Sequence, residues 1–271
     1  MNVSLSEINV FRNLLYGYYE KNYRSMPWRE DTSPYNVFLS ELMLQQTQVN
    51  RVMQKFNEFS SVFANFEAIA KASLHEVLLL WNGLGYNRRA KYLKSASEII
   101  VNNYKGVLPQ SFDDLKQLPG IGEATARAIL VYAYNKPELF IETNIRQVLI
   151  FHFFSMEEKI EDQKLLQVLH QVVDKENPKM FYWAMMDYGT FLKKQFGNLN
   201  SLSTTYTKQS KFVGSQRQKR GQILRLVLHK PQTFEMLNSE LKTSANELNE
   251  IVHQLEKEKL LIFQNEMYYI G

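Results

Sequence analysis

Apolar residues recur at three- and four-residue spacing along most of the chain as far as residue 192, as in Ile8, Phe11, Leu14, Leu15 and Tyr18. That is the stripe a helix buries on one face. After this first helix the pattern predicts others near 35–57, 66–71, 74–81, 88–104, 111–117, 122–134, 143–154, 161–174 and 179–193. Pro34, Gly83, Gly85, Pro109, Pro119-Gly120 and Pro137 punctuate them. Ser4-Leu5-Ser6-Glu7 reads as a capping box, in which hydroxyl and carboxylate satisfy backbone donors at the helix start. From 194 to about 216 the composition turns to Ser, Thr, Asn and Gln, which predicts a surface loop. Helices near 218–230, 233–241 and 244–259 follow, the last opened by Ser244-Ala245-Asn246-Glu247. Two short apolar runs, 260–263 and 267–270, complete the pattern of a winged helix.

The 271 residues suffice for two domains or one large one, and 45% apolar residues supply a core. There is no cysteine, which excludes disulfides, thiolate-held zinc, cysteine-ligated iron–sulfur clusters and a cysteine nucleophile. No basic start leads into an apolar run, and no stretch approaches the ~18 apolar residues of a membrane span, so a soluble, cytoplasmic protein without a membrane partner is expected. Net charge is only +4, but residues 188–234 carry nine Lys and Arg and no Asp or Glu. Interleaved with Phe191, Phe196, Tyr206 and Phe212, this tract suits a phosphate-lined surface, and equally a solvated linker.

Two local arrangements point to chemistry. Leu118-Pro119-Gly120-Ile121-Gly122 separates two predicted helices, and its close glycines permit a tight turn with bare amides at a helix N-terminus. Such amides bind a DNA phosphate, with Thr125 adding a hydroxyl; a purely structural turn would read the same way. On the helix predicted from 35, Glu41, Gln45 and Gln48 stand at i, i+4 and i+7, so one face presents a carboxyl with two amides. Beside apolar Phe38 and Leu42, that carboxyl would keep a proton available for a base nitrogen; an exposed helix Glu is the alternative.

At this point the chain resembles the helix-hairpin-helix DNA glycosylase superfamily. Met26-Pro27-Trp28-Arg29, Pro34-Tyr35, the run from Ser40 through Glu41 to Val49, Trp81-Asn82-Gly83-Leu84-Gly85-Tyr86 and Ala184-Met185-Met186-Asp187 are similar to its adenine glycosylase branch, the MutY type, in collinear order over about 8–193. The resemblance implies that Glu41 protonates adenine and that a second carboxylate, at Glu142, steadies the cationic sugar beside Asn144. It implies a pocket for the extruded base at Arg24, Trp28, Gln45 and Asp187. Gln46, Thr47, Leu84 and Tyr86 would meet the opposite strand, while Gly120, Gly122, Thr125, Arg88 and Arg89 would hold the DNA backbone, with Lys91 and Lys94 nearby.

Three departures from the family pattern stand out. Ile141-Glu142-Thr143-Asn144 replaces Asp-Gly-Asn, so the second carboxylate sits on a longer arm, and a misplacement of this size would alter rate or base preference. Ala124 stands where the branch has Tyr or Ser and related lyases have a Schiff-base Lys, which predicts hydrolysis without strand cleavage. The branch commonly holds an iron–sulfur cluster on four cysteines; the corresponding positions here are Lys193, Asn200, Ser203 and Gln209, so no cofactor is expected and the loop should be held by packing and DNA contacts.

The expected fold is mainly α: a lobe from 1–29 and 138–193, a helical barrel with the hairpin at 30–137, a basic loop at 194–216, and a winged-helix-like unit at 217–271, with substrate in the cleft between lobe and barrel. The terminal unit is too short for the Nudix-like domain of longer relatives, and Glu247, Glu250, Glu256 and Glu258 make its third helix a poor groove reader; DNA contact is expected from 208–225 instead. The predicted activity is monofunctional removal of adenine mispaired with guanine or 8-oxoguanine by a monomer acting on duplex DNA, in the nucleoid if the source is bacterial. Altered preference for uracil, thymine mismatches or hypoxanthine, and a non-catalytic mismatch binder, are the alternatives.

Overall fold

Ser4 begins the first helix through the capping box its sequence predicts, its hydroxyl accepting from the Glu7 amide while the Glu7 carboxylate accepts from the Ser4 amide. The computed structural model describes residues 2–154, 159–208 and 211–271. Its helices run in the order α1 (Leu5–Asn22), α2 (Pro27–Glu30), α3 (Pro34–Leu44), α4 (Val49–Val62), α5 (Phe66–Lys71), α6 (Leu74–Trp81), α7 (Arg88–Tyr104), α8 (Phe112–Gln117), α9 (Glu123–Tyr134), α10 (Thr143–Phe153), α11 (Asp162–Val172), α12 (Pro178–Phe196), α13 (Gln216–His229), α14 (Phe234–Leu241) and α15 (Ala245–Lys257). A short 3-10 turn, Leu199–Leu202, and a hairpin of β1 (Leu261–Gln264) and β2 (Met267–Ile270) complete it. The predominantly helical class and the small terminal sheet are as expected.

One predicted element is two. The helix expected over 35–57 ends at Leu44, and α4 begins only at Val49. Between them Gln46 takes a left-handed conformation at φ 55°, and the Thr47 amide bonds back to the Leu44 carbonyl at 3.1 Å. The periodicity runs through this break without a Gly or Pro, because its cause is a distant arginine described below. In α1, Phe11 and Leu15 are buried as expected but Leu14 faces solvent. Past 194 the structure is more regular than expected, since α12 continues to Phe196.

The chain divides into two compact units. One comprises Met1–Val37, Gln110–Gln117 and Ile121–Lys208, with α1, α10, α11 and α12 at its centre. Phe11, Leu15, Val148, Leu149, Leu165, Val168, Phe181 and Met185 form its core, each at most 4% exposed. The crossing of α10 and α12 is close because Gly189 has no side chain: a Cβ there would fall 2.3 Å from the Asn144 carbonyl oxygen.

The other unit comprises Phe38–Pro109, Leu118–Gly120 and Gln209–Gly271. Phe38, Phe59, Phe66 and Trp81 pack edge to face at its centre. Its terminal part is a winged helix, in which Leu224, Val227, Leu237, Leu248, Ile251 and Leu255 form a small core under the antiparallel hairpin, with Leu261 opposite Ile270 and Gln264 opposite Met267. Among the described residues no helix is long and apolar enough to cross a membrane.

Candidate active site and nucleic-acid interface

Four neighbours of Glu41 on α3, namely Phe38, Leu39, Leu42 and Met43, are fully buried, and Ser40 nearly so. Glu41 alone in this run keeps partial exposure, which makes it a carboxyl standing at the edge of an apolar core. The expected row of Glu41, Gln45 and Gln48 on one helix face does not form, because α3 stops before Gln45 and Gln48 is the exposed N-cap of α4. Gln45 instead donates from Nε2 to the Gly120 carbonyl at 3.1 Å, tying the end of the Glu41 helix to the hairpin turn.

Arg89, expected on phosphate, lies inside the protein at 6% exposure. Its Nη1 donates to the carbonyls of Leu42 and Met43 at 2.8 and 2.7 Å, and its Nη2 donates to Thr47 Oγ1 and to the carbonyls of Leu84 and Gly85. Carbonyls at a helix C-terminus lack intrahelical donors, so this guanidinium ends α3 and fixes the 82–87 loop to it. Burial lowers its pKa to about 10, which leaves it cationic at neutral pH. Arg88 remains exposed.

That loop turns on Gly83 and Gly85, at φ 97° and 72°, and Tyr86 follows at 47°, a left-handed conformation costly for an aromatic residue. Trp81 Nε1 donates to the Gly85 carbonyl at 3.1 Å, and Thr47 Oγ1 donates to that of Leu84 at 3.1 Å. Of the residues expected at the opposite strand, Gln46 is exposed, Thr47 and Tyr86 are half-buried, and Leu84 is packed inside at 2% exposure.

The hairpin forms where the glycines predict it. Gly120 sits at φ 80°, and a Cβ there would meet the Tyr92 ring at 2.9 Å, so conformation and space both demand glycine. Gly122 is the N-cap of α9 and brings no side chain to the first-turn amides; it is exposed with Glu123 and Ala124, while Thr125 is half-buried. This is the geometry of an anion site at a helix N-terminus.

In the first unit Glu142 is the N-cap residue of α10, its carbonyl accepting from the Arg146 amide at 2.8 Å. Burial pushes its carboxyl up to about 7. Asn144, in the first turn of α10, is the residue against which Gly189 packs. Asp187, expected in the base pocket, is 2% exposed and holds two arginines. Arg29 binds it through both terminal nitrogens at 2.8 and 3.0 Å, and Arg24 through Nε at 2.7 Å and Nη2 at 2.6 Å. Trp28 is buried at 7% exposure. Asp187 therefore shapes the unit from within. Arg29, not singled out in the sequence, is its more deeply buried partner, and the only sequence signal was a charged residue inside an otherwise apolar motif.

The loop after α12 has its own anchor. Gln147, fully buried, donates from Nε2 to the Gly197 carbonyl at 2.8 Å and accepts from the Leu199 amide at 2.9 Å and from Asn200 Nδ2 at 3.3 Å. Asp162 accepts from Arg146 at 2.7 Å and from the hydroxyls of Ser203 and Thr205. Burial alone would raise its pKa, but the Arg146 guanidinium together with the Thr205 and Ser203 hydroxyls outweighs that and holds the carboxyl below its usual range. The Ile160 amide donates to the Leu202 carbonyl at 2.8 Å. Of the positions where the resembled family carries cysteines, Lys193 is exposed, Asn200 and Ser203 are buried in these networks, and Gln209 lies outside the described residues. Ammonium, amide and hydroxyl groups do not fit an iron–sulfur cluster. Among the described residues no group of three or more His, Cys, Asp or Glu is placed to hold a metal.

Known proteins resemble this chain in sequence and in fold. Residues 39–175 match the family model described as HhH-GPD superfamily base excision DNA repair protein. The adenine DNA glycosylase of Buchnera aphidicola subsp. Acyrthosiphon pisum is 36% identical over 185 residues, 66% of this chain and 53% of that one. That of Mycobacterium tuberculosis is 39% identical over 137 residues, 50% of this chain and 45% of its own. The chain thus spans about half the length of these relatives. A solved thermostable thymine-DNA glycosylase shares the fold, with a TM-score of 0.61 at 23% identity over 68% of this chain and 86% of that one.

Proposed function

Because this chain belongs to the HhH-GPD superfamily of base excision DNA repair proteins, we propose that it is a monofunctional DNA glycosylase that hydrolyses the glycosidic bond of adenine mispaired with guanine or 8-oxoguanine. The observation that carries this reading is Glu41 itself, a half-buried carboxyl among the buried residues 37–43 of a helix whose end is tied through Gln45 to the Gly120 hairpin. A phosphate on the hairpin amides brings the DNA backbone to the acid that serves the base.

Glu41 in its protonated form donates to a ring nitrogen of the extruded adenine, which makes the base a neutral leaving group. The glycosidic electrons leave with the base, and the sugar becomes cationic. Glu142, when ionised, steadies that charge, and water completes hydrolysis to an abasic site. Ala124 supplies no amine for a Schiff base, so no strand cleavage accompanies release. The polar anchors at Gln147 and Asp162 support a clusterless enzyme, and the expected setting is the compartment that holds the DNA.

Single-turnover base release tests the reading, using duplexes with adenine opposite 8-oxoguanine or guanine, and with uracil, mismatched thymine or hypoxanthine. Adenine release that Glu41→Gln abolishes supports it. Release of another base instead assigns a different specificity, to which the longer Glu142 arm and the Ala124 position would contribute. No release with retained mismatch binding identifies a non-catalytic binder.

A further inference from the structure

The basic run that opens the terminal unit is turned inward. Arg217 Nη1 donates to the Tyr86 hydroxyl at 2.7 Å across 131 residues of sequence, with its guanidinium 5.9 Å from the ring centre. Lys219 pairs with Glu247 at 2.6 Å and Arg220 with Glu258 at 2.5 Å. Glu247 of α15 and Glu258, its C-cap, are thus partners of α13. Of the segment expected to contact DNA, these three cations are occupied within the protein.

The same unit contacts the helices that precede and follow the 82–87 loop. Lys91 donates to the Glu258 carbonyl, and Arg88 lies 3.8 Å from the Glu258 carboxylate, both from the start of α7. On α6, the ring of His75 bonds the Leu228 carbonyl at 2.9 Å. Tyr86 stands between two guanidiniums, with Arg89 5.6 Å from its ring on one account and Arg217 on its hydroxyl on the other. A non-glycine residue at φ 47° persists only where its surroundings over-determine it, and such residues concentrate at working sites.

We propose that the terminal winged-helix unit is a brace for the 82–87 loop, with Arg217 as a positioning residue that sets Tyr86 for reading the base opposite the excised one. The inference rests on the proposed function for what Tyr86 reads, but the brace is a physical claim about this chain alone. A unit whose third helix is acidic, and whose first helix spends Lys219 and Arg220 on ion pairs within the unit, offers fewer cations to a groove. Its free energy goes into holding a strained loop.

Hydrogen exchange of the full chain, followed by mass spectrometry, tests the brace without reference to activity. Arg217→Met is expected to speed exchange at Gly83–Asn87 about tenfold while leaving α9 unchanged, and Arg217→Lys to restore part of the protection. Unchanged loop exchange in Arg217→Met overturns the proposal. On duplex substrates, Arg217→Met is expected to weaken affinity for adenine opposite 8-oxoguanine about tenfold relative to adenine opposite guanine, with the rate from the bound duplex nearly constant. Tyr86→Phe should give the same loss, and the double variant no more than either alone. Additive losses, or discrimination equal to wild type, overturn the assignment of Arg217. If wild type releases no adenine, the functional reading fails, and the exchange experiment still decides the brace.

Discussion

Arg89 donates to the Met43 carbonyl at 2.7 Å from a position 46 residues further along the chain, and in doing so it ends the helix that carries Glu41. Its other donors engage Leu42, Thr47, Leu84 and Gly85, so one buried guanidinium sets the acid helix and the 82–87 loop together. A lysine ammonium has three donors on a flexible stem and cannot serve five acceptors from one plane. Arg89→Lys is therefore expected to cost roughly 2 to 4 kcal/mol of stability, read from the denaturant midpoint. Adenine release should slow in the folded fraction as well, since Glu41 is displaced. Wild-type stability in this variant would deny Arg89 its place.

Removing the proton from Glu41 tests the chemistry separately from the scaffold. Glu41→Gln keeps shape and hydrogen-bonding capacity but has no acidic proton. A single-turnover rate about 10²- to 10⁴-fold below wild type is expected. Duplex binding should change little, since the hairpin amides at Gly120 and Gly122 are untouched. A comparable fall in affinity would point to a binding role for Glu41 instead.

These two residues mark what was legible in the sequence. Glu41 stood out because its apolar neighbours lie on the same helix and it falls within one of the collinear motifs, and α5 and α6 follow their predicted spans of 66–71 and 74–81 because caps and periodicity are local. The break at 45–48 was not legible, since the group that causes it is Arg89 and no breaker residue marks it. Arg24, Trp28 and Asp187 were placed by resemblance in a base pocket, yet Asp187 sits 2% exposed between two guanidiniums, with Arg29 158 residues away in sequence. Charge alone could not tell a cation on a phosphate from one buried on carbonyls. Within the 208–225 segment expected at DNA, Arg217 donates to a tyrosine hydroxyl instead. Its partner, Tyr86, is 131 residues earlier in the chain.

Glu142 predicts two pH dependences of known sign. Its folded pKa is raised by burial to about 7, above the ordinary value of 4.5. The folded state therefore holds the proton more tightly than the unfolded chain, and stability falls as pH rises from about 4.5 to about 7. Glu142→Gln removes this loss and should stabilise the protein by about 1 to 3 kcal/mol at pH 8 with little effect at pH 4, measured by thermal unfolding. In the proposed mechanism Glu142 acts in its ionised form, so the wild-type single-turnover rate should rise with pH to a plateau above about 7, and that limb should be absent in Glu142→Gln. A limb that survives the substitution assigns the titration to another group.

Gln147 carries the last prediction, because its side chain is the common partner of Gly197, Leu199 and Asn200 in a fully buried position. Gln147→Leu preserves approximate volume but leaves the Gly197 carbonyl and the Leu199 amide unpaired away from water, while Asn200 Nδ2 keeps only its bond to Asn198 Oδ1. The expected cost is roughly 2 to 4 kcal/mol, with hydrogen exchange accelerated at 197–203 ahead of the rest of its unit. Gln147→Glu should be nearly as damaging, since it keeps the acceptor for Leu199 but loses the donor to Gly197 and buries a charge. If these polar bonds carry the anchoring, purified wild type should contain no stoichiometric iron, and chelator treatment should leave its unfolding midpoint unchanged. Bound iron, or a midpoint lowered by chelation, would transfer the anchoring from Gln147 to a metal group.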